Sequence, residues 1–370
     1  MSANPNTDER AVMALDAGGT NFKFSAIRGN EPAIEPFSVP SNAHDLELCL
    51  ATLVDGFKRV RNSLPDNPVA ISFAFPGPCD YPNGIVGDLK NLPCFRGGVA
   101  LKAMLEEVFD IPTFINNDGD LFVYGEAIAG LLPEVNELLA KAGSPKRYRN
   151  LFGVTLGTGF GGGIVRNGQL FLGDNISAAE VWTLRNKIDR DMPAEEGACI
   201  RAVRRTYAEQ TGIPFDEAPD PRTIYEIGVG TTEGNQQAAV AAFQRLGEVA
   251  GDAIAQALTL IDGLAVIGGG ISGAHPLFLP SIIAEINGNF RTPNGETQRR
   301  LTQLAFNLED PTQVETFLKG DTREIIIPGT TRTTQYDPMP RVGVGISRLG
   351  TSEAVAIGAY AFALNQLDSQ

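Results

Sequence analysis

Apolar positions first gather in two short, similar bursts about 140 residues apart. "AVMALDAGGTNFKFSAIRGNE" near the start and "LFGVTLGTGFGGGIVRNGQL" further on have the same layout. Each reads as a strand, a Gly/Thr-rich turn, a second strand and a closing Arg with Gly and Asn. One supersecondary pattern met twice at that distance predicts two related domains. Between them, "NPVAISFAFPGPCD" reads as a strand ending in a Pro-Gly-Pro loop. "GVALKAMLEEVF" follows as a helix with Leu101, Met104, Leu105 and Val108 on one face. "IPTFIN" is the next strand, and Leu121, Tyr124, Ile128 and Leu131 mark the helix after it.

The second half carries the strongest helical period. In "NQQAAVAAFQRLGEVAGDAIAQALTLID", Val240, Phe243, Leu246, Val249, Ala253, Ile254 and Leu258 recur at three- and four-residue steps. The strand "LAVIGG" follows and ends in Gly268, Gly269 and Gly270. "TREIIIPG" and "MPRVGVGI" read as strands, and "SEAVAIGAYAFALNQ" as an apolar closing helix that needs an apolar partner. Strands alternating with helices, with glycine turns at strand ends, indicate a two-domain α/β protein.

A length of 370 residues supports the two-domain reading, because a single core stops growing below that size. The net charge of −14 argues against nucleic acid or an anionic membrane as partner. It leaves phosphate ligands open, since loop amides and a metal ion can hold them locally. Cys49, Cys79, Cys94 and Cys199 include no C-x-x-C pair, and His44 and His275 stand alone. A disulfide scaffold, a four-ligand zinc site and histidine-based catalysis are therefore not expected. The polar start "MSANPNTDER" lacks the apolar core of a signal peptide, and glycines and prolines break the most apolar run. The expected location is the cytosol, and a homodimer is compatible with these features.

Candidate chemistry sits at strand ends. In "LDAGGTN", Asp16 stands beside the amides of Gly18, Gly19 and Thr20, which could approach phosphate oxygens while Asp16 holds Mg²⁺ through water. Taken alone, the segment is an ordinary hairpin turn. "GTGFGGG" has five glycines in seven residues, a density that indicates either close approach of a ligand or a β-bulge. It is neither a Walker A loop nor a Rossmann turn, since no Gly-Lys-Ser/Thr follows and a strand, not a helix, comes next. Gly268–Gly270 fit a tight strand-to-helix connection as well as a nucleotide contact. In "TFINNDGDLFVYGEA", Asp118 and Asp120 could each cap the helix ahead, or Asp118 could be a catalytic base. All of these features lie where strands finish, the edge on which α/β sheets hold ligands.

In that order, the motifs "ALDAGGTNFKF", "FPGPCDYPNGIVGDLKNLPCFRGGVALKAMLEEVFDIPTFINNDGD", "VTLGTGFGGGIVRNGQLFLG", "AVIGGGIS" and "AIGAYAFAL" resemble the ROK family of sugar kinases. That family lies within the hexokinase-like and actin-like ATPase superfamily, and the resemblance runs from about Ala11 to Leu364. It implies two actin-like (ribonuclease H-like) α/β domains with an interdomain active-site cleft, divided as 11–117 plus 352–370 and 118–351. It implies an ATP-dependent kinase acting on a hexose hydroxyl, with glucose the leading acceptor. Fructose, N-acetylmannosamine or a similar sugar is the alternative, or sugar binding without catalysis.

The resemblance also assigns roles. Asp118 matches the general base. Asn91, Asn117 and Glu180 match holders of sugar hydroxyls, and Gly77 of the Pro-Gly-Pro loop falls with them. Gly18, Gly19, Thr20, Gly157, Thr158 and Gly159 match phosphate-binding hairpins. Gly269 and Gly270 fall where the nucleoside is cradled, and Asp16 matches the acid near Mg²⁺. Glu126 looks structural, and Asp120 reads as a capping or surface acid. ATP and Mg²⁺ are the implied cofactors.

Two departures stand out in "AAEVWTLRNKIDRDMPAEEGACIRAV". Thr183 occupies the position of a family histidine, and only Cys199 remains of a cysteine-rich zinc loop, so no zinc site is expected. Trp182, Arg185 and Asn186 are candidates for reshaping the sugar pocket. Related repressors carry a DNA-binding segment ahead of the first hairpin, and the ten polar residues before Ala11 are too few for one.

Overall fold

Val12–Ala17 and Asn21–Arg28 pair as an antiparallel hairpin, with Val12 opposite Ile27 and Ala17 opposite Phe22. Ala70–Ala74 adds to this hairpin in parallel beside Val12–Ala17, and Thr113–Asn116 adds in parallel beyond it. This is the sheet of the first of two units seen in the computed structural model, which describes residues 7–77, 79–89 and 92–369.

Strand alternation divides this sheet's side chains between two cores. Met13, Leu15, Phe22 and Phe24 face helix Leu46–Ser63 through Cys49, Leu53, Phe57 and Val60. Val12, Ala14, Ile27 and Ala70 face the closing helix Thr351–Asp368 through Tyr360, Ala363 and Leu364. The apolar partner expected for that helix is therefore the first sheet. Helix Asp118–Ile128 crosses it at backbone contact. A Cβ on Gly125 would lie 1.9 Å from the Ala354 carbonyl oxygen, and one on Gly358 would lie 2.0 Å from that of Leu121.

That crossing moves the domain boundary. The expected division placed 118–351 in the second domain, whereas helix Asp118–Ile128 packs within the first unit. The first unit runs to Gly130 and regains the chain at Gln169–Ala178 and again from Leu349. The helix also ends at Ile128, and Leu131 begins a separate helix, Leu131–Lys141. Residues Gly119–Glu126 are all buried, so a one-sided apolar stripe does not describe it. In helix Leu101–Phe109 the inward face is Leu101, Leu105 and Phe109, and Val108 turns to solvent.

The second unit repeats the plan. Leu151–Leu156 and Phe160–Arg166 form an antiparallel hairpin, and Leu264–Gly268, Arg341–Ile346 and Leu304–Asn307 extend it in parallel order. Each hairpin turns through three residues, 18–20 and 157–159. The long helix spans Gln236–Ile261, capped by the Asn235 side chain on the Ala238 N–H at 3.0 Å. It buries Phe243, Leu246, Val249, Ile254 and Leu258 in the core of this unit. "TREIIIPG" supplies the exposed strand Arg323–Ile326, and "MPRVGVGI" the buried strand Arg341–Ile346.

Candidate active site

In the first unit, strand Thr113–Asn116 delivers Asn117 and Asp118 to the edge where Val12–Ala17 and Ala70–Ala74 also end. Asn117 caps the following helix, its Oδ1 accepting the Gly119 N–H at 2.8 Å. Asp118 is the first helical residue, and its Oδ1 accepts the same N–H at 2.9 Å. The cap is thus neither Asp118 nor Asp120. Asp120 is buried at 7% exposure, which corrects its reading as a surface acid.

Asp118 and Asp16 line one cavity of about 480 Å³, together with Lys23, Ser25 and Glu353. Solvent reaches the Asp118 carboxylate, yet protein surrounds it closely enough that desolvation pushes its pKa above the ordinary aspartate value of 3.8. The Gly119 N–H pulls it back down, and the negative charge of Asp16 pushes it up. Asp16 itself is exposed at its strand end. An exposed carboxylate beside a second one suits Mg²⁺, which keeps most of its waters and takes few protein ligands. No group of three or more His, Cys, Asp or Glu among the described residues forms a ready-made metal cage.

The first glycine turn is fixed by Ser41. Its Oγ donates to the Gly19 carbonyl at 2.7 Å, and its N–H donates to the Thr20 carbonyl at 2.9 Å. The Gly18 N–H bonds Asn21 O at 3.1 Å. Gly77 lies against Tyr81, whose hydroxyl would stand 3.0 Å from a Cβ placed there. Tyr81 is a residue that sequence reasoning missed. Its buried hydroxyl donates to Phe75 O at 3.1 Å and lies 3.4 Å from Asn117 Nδ2. Asn91 lies outside the described residues. Glu126 is fully buried and accepts the Leu349 N–H at 3.0 Å, a structural bond.

In the second unit, Gly157–Gly159 lies beside Gly269–Gly270. The Ile271 N–H bonds Leu156 O at 3.0 Å, and the Gly270 nitrogen would sit 4.0 Å from a Cβ on Gly157. Gly269 takes a φ of +90°, and a side chain there would strike Leu156 O at 2.3 Å. The glycines of the following strand have another cause. Gly161, Gly162 and Gly163 pair in unbroken register with Thr155, Val154 and Gly153, so there is no bulge, and a Cβ on Gly162 would strike Ala179 O at 2.7 Å.

All three carbonyls of this turn are engaged. Gly157 O accepts the Ile200 N–H at 2.8 Å, Thr158 O accepts Arg201 Nη1 at 2.9 Å, and Gly159 O accepts the Gly157 N–H at 3.0 Å. Glu195 accepts the Phe160 N–H at 3.2 Å and also pairs with Arg201. Sequence reasoning missed Glu195 and Arg201, and the one available signal was their charge density in "AEEGACIRAV".

Glu180 is exposed and accepts a hydrogen bond from the indole N–H of Trp182, itself 43% exposed. Thr183 does not offer a free hydroxyl, since its Oγ1 donates to Glu180 O at 2.7 Å. Asn186 is buried and its Oδ1 accepts the Ile188 and Asp189 N–H groups, so it is a turn residue. Cys199 is a buried free thiol at the start of helix Ile200–Thr211.

A model of the ROK family matches residues 12–307. The crystal structure of a glucokinase from Parabacteroides distasonis is 51% identical, covers 98% of this chain and 99% of its own, and superposes with a TM-score of 0.89. An N-acetyl-D-glucosamine kinase of Yersinia enterocolitica is 27% identical over 277 residues, spanning 71% of this chain and 85% of that protein. A ROK family glucokinase from Streptomyces griseus, crystallised with glucose and AMPPNP, is 18% identical and covers 94% of this chain and 98% of its own. Its TM-score of 0.59 speaks to fold alone.

Proposed function

The chain belongs to the ROK family, and we propose from that premise that it transfers the γ-phosphate of ATP to a hexose hydroxyl, with glucose as acceptor. It is a phosphotransferase with an alcohol group as acceptor. The observation that carries the chemistry is the Asp118 carboxylate, reachable by solvent in the same cavity as Asp16 and held by the Gly119 N–H. Asp118 takes the proton of the attacking hydroxyl as the oxygen bonds to the γ-phosphorus and ADP leaves. One aspartate suffices as base for such a transfer, because most catalysis here is positioning and charge neutralisation.

Asn117, Asn91, Glu180 and Gly77 hold the sugar. Gly18, Gly19 and Thr20, with Gly157, Thr158 and Gly159, hold phosphates, and Gly269 and Gly270 receive the nucleoside. Mg²⁺, held through water by Asp16, neutralises phosphate charge when bound. Glucose leads because the 51%-identical relative is a glucokinase. The protein works in the cytosol, where ATP is available, and no helix among the described residues is long and apolar enough to cross a membrane.

A coupled ADP-release assay over glucose, N-acetylglucosamine, mannose and fructose tests this reading. Glucose should give the highest kcat/KM, and activity should require Mg²⁺. A higher value for another sugar would overturn glucose and leave the kinase class standing. No turnover with any sugar would overturn the kinase itself.

A further inference from the structure

We propose that Arg201 is a positioning residue for the nucleotide, locking the Gly157–Gly159 turn in its anion-accepting form. This rests on the reading that the turn carries ATP phosphates. A short glycine turn can present either its N–H groups or its carbonyl oxygens, because peptide planes flanked by glycine flip at little steric cost. Only the first state accepts an anion. The carbonyls of Gly157 and Gly159 are held by backbone N–H groups, from Ile200 and Gly157. Thr158 is the exception: its carbonyl is held by a side chain, Arg201 Nη1 at 2.9 Å.

Arg201 is itself anchored at two further points. Its Nη2 donates to Glu195 Oε1 at 3.0 Å and to Glu196 Oε1 at 2.8 Å, and Arg205 donates to the other oxygen of Glu196. Glu195 in turn holds the Phe160 N–H directly after the turn, and a Cβ on Gly159 would stand 2.8 Å from its Oε2. The guanidinium's planar fork thus ties the turn's apex to a carboxylate pair at the head of helix Ile200–Thr211, a geometry that lysine cannot reproduce. The two carboxylates balance the positive charge of Arg201 and Arg205 without metal. Loss of Arg201 frees the Thr158 carbonyl to turn outward and repel phosphate.

The test is calorimetric titration of ADP with Mg²⁺ into the full-length protein, beside titration of glucose. Arg201→Gln should weaken ADP binding about tenfold or more, the scale of one charge-assisted hydrogen bond, with glucose affinity unchanged. Arg201→Lys, which keeps the charge but loses the planar fork, should fall between Arg201→Gln and wild type. In steady state the KM for ATP should rise while the KM for glucose holds. ADP binding within about twofold of wild type in Arg201→Gln, or in Arg201→Lys should the first variant not fold, would overturn the proposal. Gly157→Val separates the two ideas, because its Cβ would stand no closer than 4.0 Å to the rest of the fold, at the Gly270 nitrogen, and the bulk it adds lies at the turn itself. Normal ADP affinity in Gly157→Val would sink the phosphate reading of the turn. Lost affinity there with normal affinity in the Arg201 variants would sink only the role of Arg201.

Discussion

The Tyr81 hydroxyl stands 3.4 Å from Asn117 Nδ2, while Asn117 Oδ1 caps the helix that opens with Asp118. One buried phenol thereby orients the amide that precedes the proposed base. Tyr81→Phe should raise the KM for sugar several-fold with little change in kcat. It should also cost about 0.5–1.5 kcal/mol of stability, because Phe75 O loses its Tyr81 donor. Sugar titration and thermal unfolding of the variant read both effects, and an unchanged sugar KM would show that Tyr81 serves packing alone.

The raised pKa of Asp118 has a testable sign. Crowding by protein and the charge of Asp16 both favour the protonated form. Asp16→Asn removes the like charge, so the Asp118 pKa should drop toward the ordinary 3.8. Carboxyl NMR titration of the nucleotide-free protein checks this, independently of any effect on metal. A pKa that stays put or rises would mean that the two carboxylates do not feel each other.

Trp182 donates its indole N–H to Glu180 and leaves part of its ring exposed. Trp182→Phe keeps an aromatic surface but releases the carboxylate. Sugar affinity should weaken about tenfold or more, on the scale of a hydrogen bond to a charged group, with ATP affinity unchanged. Thr183→His should act less selectively, since the Thr183 side chain is tied to Glu180 O. Calorimetry with glucose and its epimers separates the two positions. Equal sugar binding in Trp182→Phe and wild type would remove Glu180 from the sugar site.

Arg341 anchors the second unit's sheet from inside. Its side chain is fully buried, pairs with Asp337 at 2.6 Å and donates to Phe317 O at 2.6 Å. Arg341→Met would leave Asp337 buried and unpaired, a loss of about 3–5 kcal/mol. Burial works to raise the Asp337 pKa, but hydrogen bonds from Arg341 and the Asp321 N–H outweigh it and hold the group below 3.8. A depressed carboxylate contributes stability above its unfolded pKa and loses it as pH falls through the folded one. Wild type should therefore lose stability below about pH 4, and Arg341→Met should show a flatter acid limb in denaturant titrations. A variant as stable as wild type would contradict this account.

Much of the fold was legible because it is periodic. Both hairpins, the long helix, and the strand ends bearing Asp16, Asp118 and the glycines follow from patterns along the chain. Contacts made across the chain were not legible. Asp120 looks like a surface acid until helix Thr351–Asp368 covers its helix, and Gly125 and Gly358 reveal themselves only where two backbones meet. That crossing also decides which unit owns Asp118, so a boundary drawn at residue 117 could not be right from local pattern alone. The link from Arg201 to Thr158 spans 43 positions and leaves no period to read.

Turnover of Asp118→Asn tests the central claim most directly. The substitution keeps the shape and the acceptor for the Gly119 N–H while removing the base. Turnover of glucose should fall by about 100-fold or more, the usual scale of general-base catalysis, with glucose and ADP affinities nearly unchanged. Because the native environment disfavours the ionised carboxylate, the variant should be at least as stable as wild type at neutral pH. Near-normal turnover in a folded Asp118→Asn protein would contradict the account.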